Sequence, residues 1–127
     1  MARKYILIIL KYSTIGVGEF TCCDRTLWGG TGWEVLASGK PLLQDFHFKD
    51  DEFEREYGYK APPLLGVKKQ DDIYTHLIAM MDSPESCKKI GHQAKAWFEE
   101  HNGIGLAAQW VQLLSGSTLP PMPQRWQ

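Results

Sequence analysis

Long hydrophobic runs are missing from this sequence. Its most apolar stretch, Tyr5-Ile-Leu-Ile-Ile-Leu10, is about six residues long and stops at Lys11, whereas a helix needs roughly 20 to span a bilayer. Arg3 and Lys4 precede it as in a signal peptide, but no small-residue cleavage site follows. The expectation is therefore a cytoplasmic protein without a transmembrane segment. Cysteine is scarce as well: Cys22, Cys23 and Cys87 make an odd count, two are adjacent, and no CxxC or Cys/His ligand spacing occurs. That pattern argues against a disulfide framework and a structural zinc site, and for thiols in a reducing compartment. An excess of one charge is also lacking. A net charge of −1 and a pI near 6.4 give no electrostatic capture of nucleic acid or an anionic membrane. No internal repeat is visible.

What is present is the composition of one globular domain: 127 residues, 43% apolar and 23% charged. Five Trp, five Tyr and five Phe are available to fill a core or line a groove. The run Tyr5–Leu10 is rich in β-branched residues and predicts a strand covered on both faces, as in a parallel sheet. Lys11 to Gly32 reads as loop, with one short strand around Glu19–Cys23. Trp33–Ser38 reads as a short helix opened by Gly29-Gly-Thr-Gly32, with Thr31 as a cap and Gly39 as the stop. Leu42-Leu43 centres a short strand, Glu52–Tyr57 forms a helical turn, and Leu64–Val67 forms another strand after Pro62-Pro63.

Three helices are expected next. The first is capped by Asp71 or Asp72 and carries the stripe Ile73, Leu77, Met80 and Met81. A second opens at Ser83-Pro84, buries Cys87, Ile90, Ala94 and Trp97, and ends at Asn102-Gly103. The third uses Leu106, Trp110, Leu113 and Leu114 and stops at Ser115-Gly116. Residues 1–116 are thus read as one α/β domain, and residues 117–127, with three prolines, as a flexible tail.

Gly32-Trp-Glu-Val-Leu-Ala-Ser-Gly-Lys-Pro-Leu-Leu43 resembles the helix-and-turn signature of retaining GT-B glycosyltransferases: Glu34, Ala37, Gly39, Pro41, Leu42 and Leu43 fit it, while Val35 replaces an alanine. Pro62-Pro63-Leu-Leu, Asp71-Asp-Ile73 and Ser83-Pro-Glu…Ile90-Gly91…Ala94…Trp97-Phe98 resemble the carboxyl-terminal region of that family in the same order. The resemblance covers about residues 24 to 115 and implies a partial Rossmann-like domain, the GT-B carboxyl-terminal domain, with short parallel strands and a helical carboxyl-terminal half. It implies binding of a nucleotide-diphosphate sugar as donor substrate, with no metal and no other cofactor. The acceptor domain would come from a missing amino-terminal half or a partner chain, so the isolated chain is expected to be inactive.

By the same resemblance Gly29, Gly30, Thr31 and Gly32 would hold the diphosphate. The free backbone N–H groups at a helix amino terminus suit an anion. Glu34, expected in the first turn of that helix, corresponds to the family glutamate that takes the ribose hydroxyls, although a carboxylate there also complements the helix dipole. The family's second glutamate, eight positions earlier, is Thr26 here; Asp24 and Glu19 are nearby. Arg25 is a substitute for the upstream basic phosphate ligands.

Other constellations weigh less. Asp45-Phe-His-Phe-Lys-Asp-Asp-Glu52 surrounds His47 with carboxylates but has no defined metal-ligand spacing and reads as a solvated loop. Cys87 and His92 lie about 140° apart around a helix, so they do not form a nucleophile pair. Gly16-Val-Gly18 lacks the third glycine of a dinucleotide motif. The alternative to a donor-binding half is a non-enzymatic α/β interaction module.

Overall fold

The computed structural model of the chain describes residues 3–20, 29–49 and 51–116. In order these form α1 (Arg3–Tyr12), β1 (Gly16–Val17), α2 (Gly30–Ala37), β2 (Leu42–Asp45), α3 (Glu52–Tyr57), β3 (Leu65–Val67), α4 (Gln70–Asp82), α5 (Pro84–His101) and α6 (Ile104–Leu114). The three strands make one parallel sheet in the order β1-β2-β3, with Gly16 opposite Leu42, Leu43 opposite Leu65 and Asp45 opposite Val67. Parallel neighbours require crossover connections, which α2 and α3 supply. The protein is therefore a mixed α/β structure with a small parallel sheet.

Side chains alternate across a strand, and β2 shows the consequence. Leu42 joins Val35, Leu36, Phe53, Ala94 and Trp97 in one core cluster, whereas Leu43 joins Leu65, Val67, Met80 and Cys87 in another. Helix α5 serves both, with Cys87 near its start and Ala94 and Trp97 further along. Each fully buried side chain of this size contributes about 1.5–3 kcal/mol, so β2, buried along its whole length, anchors the fold. Trp97 stacks on Trp33 and donates its indole N–H to the Lys60 carbonyl at 2.7 Å, satisfying the polar edge of a mostly buried ring.

Local chemistry sets the boundaries. Helix α2 ends in a Schellman turn: Gly39 N–H bonds Leu36 O at 3.0 Å and Lys40 N–H bonds Val35 O at 3.3 Å. Gly39 takes φ 68°, a conformation that favours glycine. Pro84 stands in the first turn of α5 after Ser83, where its missing N–H costs nothing.

The structure corrects several expectations. Tyr5–Leu10 lies in helix α1, and Leu10 is the only buried residue of that helix. A short apolar run has no period to tell strand from helix. The first strand among the described residues is Gly16–Val17; of the strand expected around Glu19–Cys23, residues 21–23 lie outside the described residues, and Glu19 and Phe20 are not in a strand. Glycines in β1 and just after it permit close packing: a Cβ on Gly16 would strike the Val35 side chain, and one on Gly18 the Gln44 amide. Thr31 does not cap α2, because the cap position is Gly29. Glu34 is the fifth residue of α2 and not in its first turn. Lys69 is the cap residue of α4, while Asp72 supplies the acceptor from inside the helix. Met81 points to solvent and Ile90 is only partly buried. The tail, 117–127, lies outside the described residues.

Candidate functional site

Parallel α/β sheets bind ligands outside the carboxyl ends of their strands. Here that edge is followed by Gly18–Phe20 after β1, Phe46–Lys49 after β2 and Lys68–Lys69 after β3. A crevice of about 370 Å³ opens there, lined by Phe20, Asp45, His47, Lys68, Lys69 and Ile73 among others. The register that pairs Asp45 with Val67 brings His47 beside the two lysines, which are more than 20 positions away in sequence.

Two devices hold the walls of this crevice. The first is Gln44, a buried side chain 1% exposed. Its Oε1 accepts from Glu19 N–H at 3.1 Å and its Nε2 donates to Glu19 O at 2.6 Å. The amide thus continues the ladder in which Gly16 N–H bonds Pro41 O and Gly18 N–H bonds Leu43 O, and fixes Glu19 past the end of β1. The second is Asp72, whose Oδ2 accepts from Lys68 N–H at 2.9 Å and Lys69 N–H at 3.0 Å. The Lys68 amide, then that of Lys69, holds the Asp72 carboxyl below its ordinary range. Those bonds stiffen the turn that presents both lysines. Between them, Asp45 sits almost buried on β2 with its Oδ1 2.5 Å from His47 Nε2.

The amino end of α2 lies against Glu19, one residue before the crevice-lining Phe20. Gly29 precedes the helix with no side-chain cap bond, and Gly30, Thr31 and Gly32 fill its first turn. The Glu19 carboxylate lies against Gly29, close enough to collide with a Cβ there, whereas a Cβ on Gly30 would meet nothing within 4 Å. One turn in, Glu34 is 11% exposed at its side chain and pairs with Arg3 Nε at 2.7 Å. Arg3 itself is 79% exposed. An exposed guanidinium on a nearly buried carboxylate contributes little stability, and leaves the carboxylate able to exchange partners.

Comparison with protein-family models, with curated proteins and with solved structures finds no match. The site therefore rests on its own geometry. The structure brings Gly29, Gly30, Thr31, Gly32 and Glu34 together on α2, with Glu19 beside them. Arg25 lies outside the described residues, as do Asp24 and Thr26. His92 is exposed while Cys87 is buried with its thiol toward Thr14 O, in keeping with their separation around α5. His76 bonds the Gly66 carbonyl at 2.9 Å, and His101 stacks on Tyr59, so both have structural roles. Among the described residues no group of three His, Cys, Asp or Glu side chains converges for a metal, and no helix is long and apolar enough to cross a membrane.

Reading the residues one segment at a time missed Lys68, Lys69 and the Gln44 clamp. Two adjacent lysines between an apolar run and a helix start are the signal that was available.

Proposed function

We propose that this chain is the donor-binding portion of a GT-B glycosyltransferase, holding a nucleotide-diphosphate sugar that the complete enzyme transfers to an acceptor. The observation that carries the reading is the crevice at the carboxyl ends of three parallel strands, lined by His47, Lys68 and Lys69. Glu34 is suited to the ribose: a nearly buried carboxylate accepts two hydroxyl bonds well, and its present partner Arg3 is solvent-exposed. Catalysis in a complete enzyme would come from positioning the donor and stabilising the departing diphosphate.

A second reading, a non-enzymatic module or subunit that needs a partner chain, is favoured by exposed apolar surface. Tyr5, Ile8, Ile9 and Tyr12 make an outward stripe on α1, and α6 has no buried residue while exposing Trp110 and Leu114. Titration calorimetry with UDP, GDP and their sugars separates the two. Micromolar binding weakened at least about tenfold by Glu34→Gln, the scale of one lost charge-assisted hydrogen bond, supports the donor site. No binding of any of these ligands refutes it and leaves the partner module.

A further inference from the structure

Helix α1 turns most of its surface outward. Leu10 is its one buried residue, and Ile6 packs partly against the core. At about 100° per residue the side opposite these two is centred on Ile8. Tyr12, Tyr5 and Ile9 continue from Ile8 around the helix, each half exposed or more. Lys4 and Lys11 lie on the other flank of Ile8, about 20° apart. Apolar residues exposed in a row, and not singly, mark a surface that something covers.

Charge says what covers it. The chain as a whole stands at −1, yet α1 holds three of the 14 basic side chains and no acidic one. Arg3 is matched by Glu34, whereas Lys4 and Lys11 form no salt bridge among the described residues. A cation in the first turn opposes the helix dipole, so Lys4 does not serve the stability of α1. Each lysine lies over the neighbouring tyrosine: Lys4 Nζ is 5.2 Å from the Tyr5 ring centre and Lys11 Nζ is 5.7 Å from that of Tyr12. A tyrosine with an ammonium group beside it, at each end of an apolar stretch, suits the boundary between acyl chains and headgroups.

We infer that α1 docks the protein in the plane of an anionic lipid surface. Ile8, Ile9, Tyr5 and Tyr12 enter the outer acyl region, and Lys4 and Lys11 meet the headgroup phosphates. The ten residues of α1 are about 15 Å long, half the hydrocarbon thickness, so the helix lies on the surface and does not cross it. Helix α6 also exposes apolar residues but carries no charged one, so it lacks this match to anionic headgroups. Two copies of α1 packed antiparallel about a two-fold axis would set lysine edge against lysine edge. The inference stands apart from the donor reading, since no α1 residue is among those lining the crevice.

Vesicles of phosphatidylcholine, with and without phosphatidylserine, are the probes, and co-sedimentation of the full chain is the measurement. Binding is expected to the serine-containing vesicles at low salt and should decline as salt screens the lysines. The double variant Lys4→Gln/Lys11→Gln should weaken it about twentyfold, and Ile8→Gln/Ile9→Gln at least about tenfold. Trp110→Gln/Leu114→Gln on α6 should change it less than about twofold, because only α1 enters the lipid. All the replaced side chains are exposed, so each variant should keep the parent's circular dichroism. Equal binding to both vesicle types overturns the inference, as does binding lost in the α6 variant and kept in the α1 variants. Failure to sediment with either vesicle overturns it too. A dimer in analytical ultracentrifugation that Ile8→Gln/Ile9→Gln dissolves, in a protein that binds no vesicles, assigns the face to a second copy instead.

Discussion

Replacing Gly91 with alanine sets two physical effects against each other. Gly91 lies in the middle of α5, where glycine costs about 1 kcal/mol relative to alanine, so helix propensity alone predicts a more stable protein. Packing predicts the opposite. A Cβ on Gly91 would run into the Gly39 carbonyl oxygen, lie 3.0 Å from its carbonyl carbon and approach Lys40 Cα to 3.4 Å. All three are backbone atoms of the Schellman turn that ends α2, held by the hydrogen bonds of Gly39 and Lys40 N–H. None can swing aside as a side chain does. Helix α5 must back away instead, loosening Ala94 and Trp97 from Val35 and Leu36 in the shared core. Overpacking of this kind costs about 1–3 kcal/mol, and lost core contacts add to it. Subtracting the propensity gain leaves about 0–2 kcal/mol, and the lost core contacts put the net loss in the upper half of that range. With a urea slope of about 2 kcal/mol per molar, the unfolding midpoint should fall by roughly 0.5–1 M. Gly30→Ala is the control, since a Cβ there meets nothing within 4 Å, and its midpoint should hold or rise slightly. A midpoint raised in Gly91→Ala would refute the claim that α5 and the α2–β2 turn meet backbone to backbone.

Gln44→Leu should destabilise by about 1–2 kcal/mol, toward the lower part of the range for unsatisfied polar groups, because water can reach the Glu19 N–H and carbonyl it abandons. Faster hydrogen exchange at the Glu19 amide should accompany the loss; an unchanged amide would show that the clamp does not hold that segment. Asp72 has a depressed folded-state value, so its stabilising contribution is complete above the unfolded value near 3.8 and disappears as pH falls through the lower folded one. Asp72→Asn should therefore flatten the acid side of the stability curve, and a variant that keeps the parent's slope below pH 4 would contradict the assignment.

Much of the carboxyl-terminal half was legible in the sequence because its signals are local. Ser83-Pro84 marks the start of α5, Asn102-Gly103 follows its end, and Cys87, Ala94 and Trp97 recur on one buried face. The expected strands at Leu42-Leu43 and Leu64–Val67 appear as β2 and β3, and the expected turn at Glu52–Tyr57 appears as α3. Helix α1 was not legible, because Tyr5–Leu10 is apolar at every position and its exposure depends on what the rest of the chain covers. Strand β1 was missed because its glycines are chosen by what packs on them, Val35 and Gln44, and neither neighbour is local. The glycine-rich start of α2 was legible as a helix start, whereas the roles of Gly29, Gly30, Thr31, Gly32 and Glu34 were only implied by the family resemblance. The lysine wall of the crevice depends on the register between β2 and β3, which no local pattern encodes.

The glycines of this fold divide into two kinds, and the division offers an evolutionary diagnostic. Gly16 and Gly91 are confined by neighbouring atoms of the chain itself, and Gly39 by its backbone conformation. Gly30 has open space around it and is not among the positive-φ glycines, so nothing in the fold demands glycine there. Among relatives of this chain, drift at position 30 to alanine or serine is expected wherever the crevice has lost its ligand. Strict retention would mark a lineage in which a bound molecule still presses against the backbone. Positions 16, 39 and 91 would stay glycine in both cases, as a reference for inheritance of the fold alone.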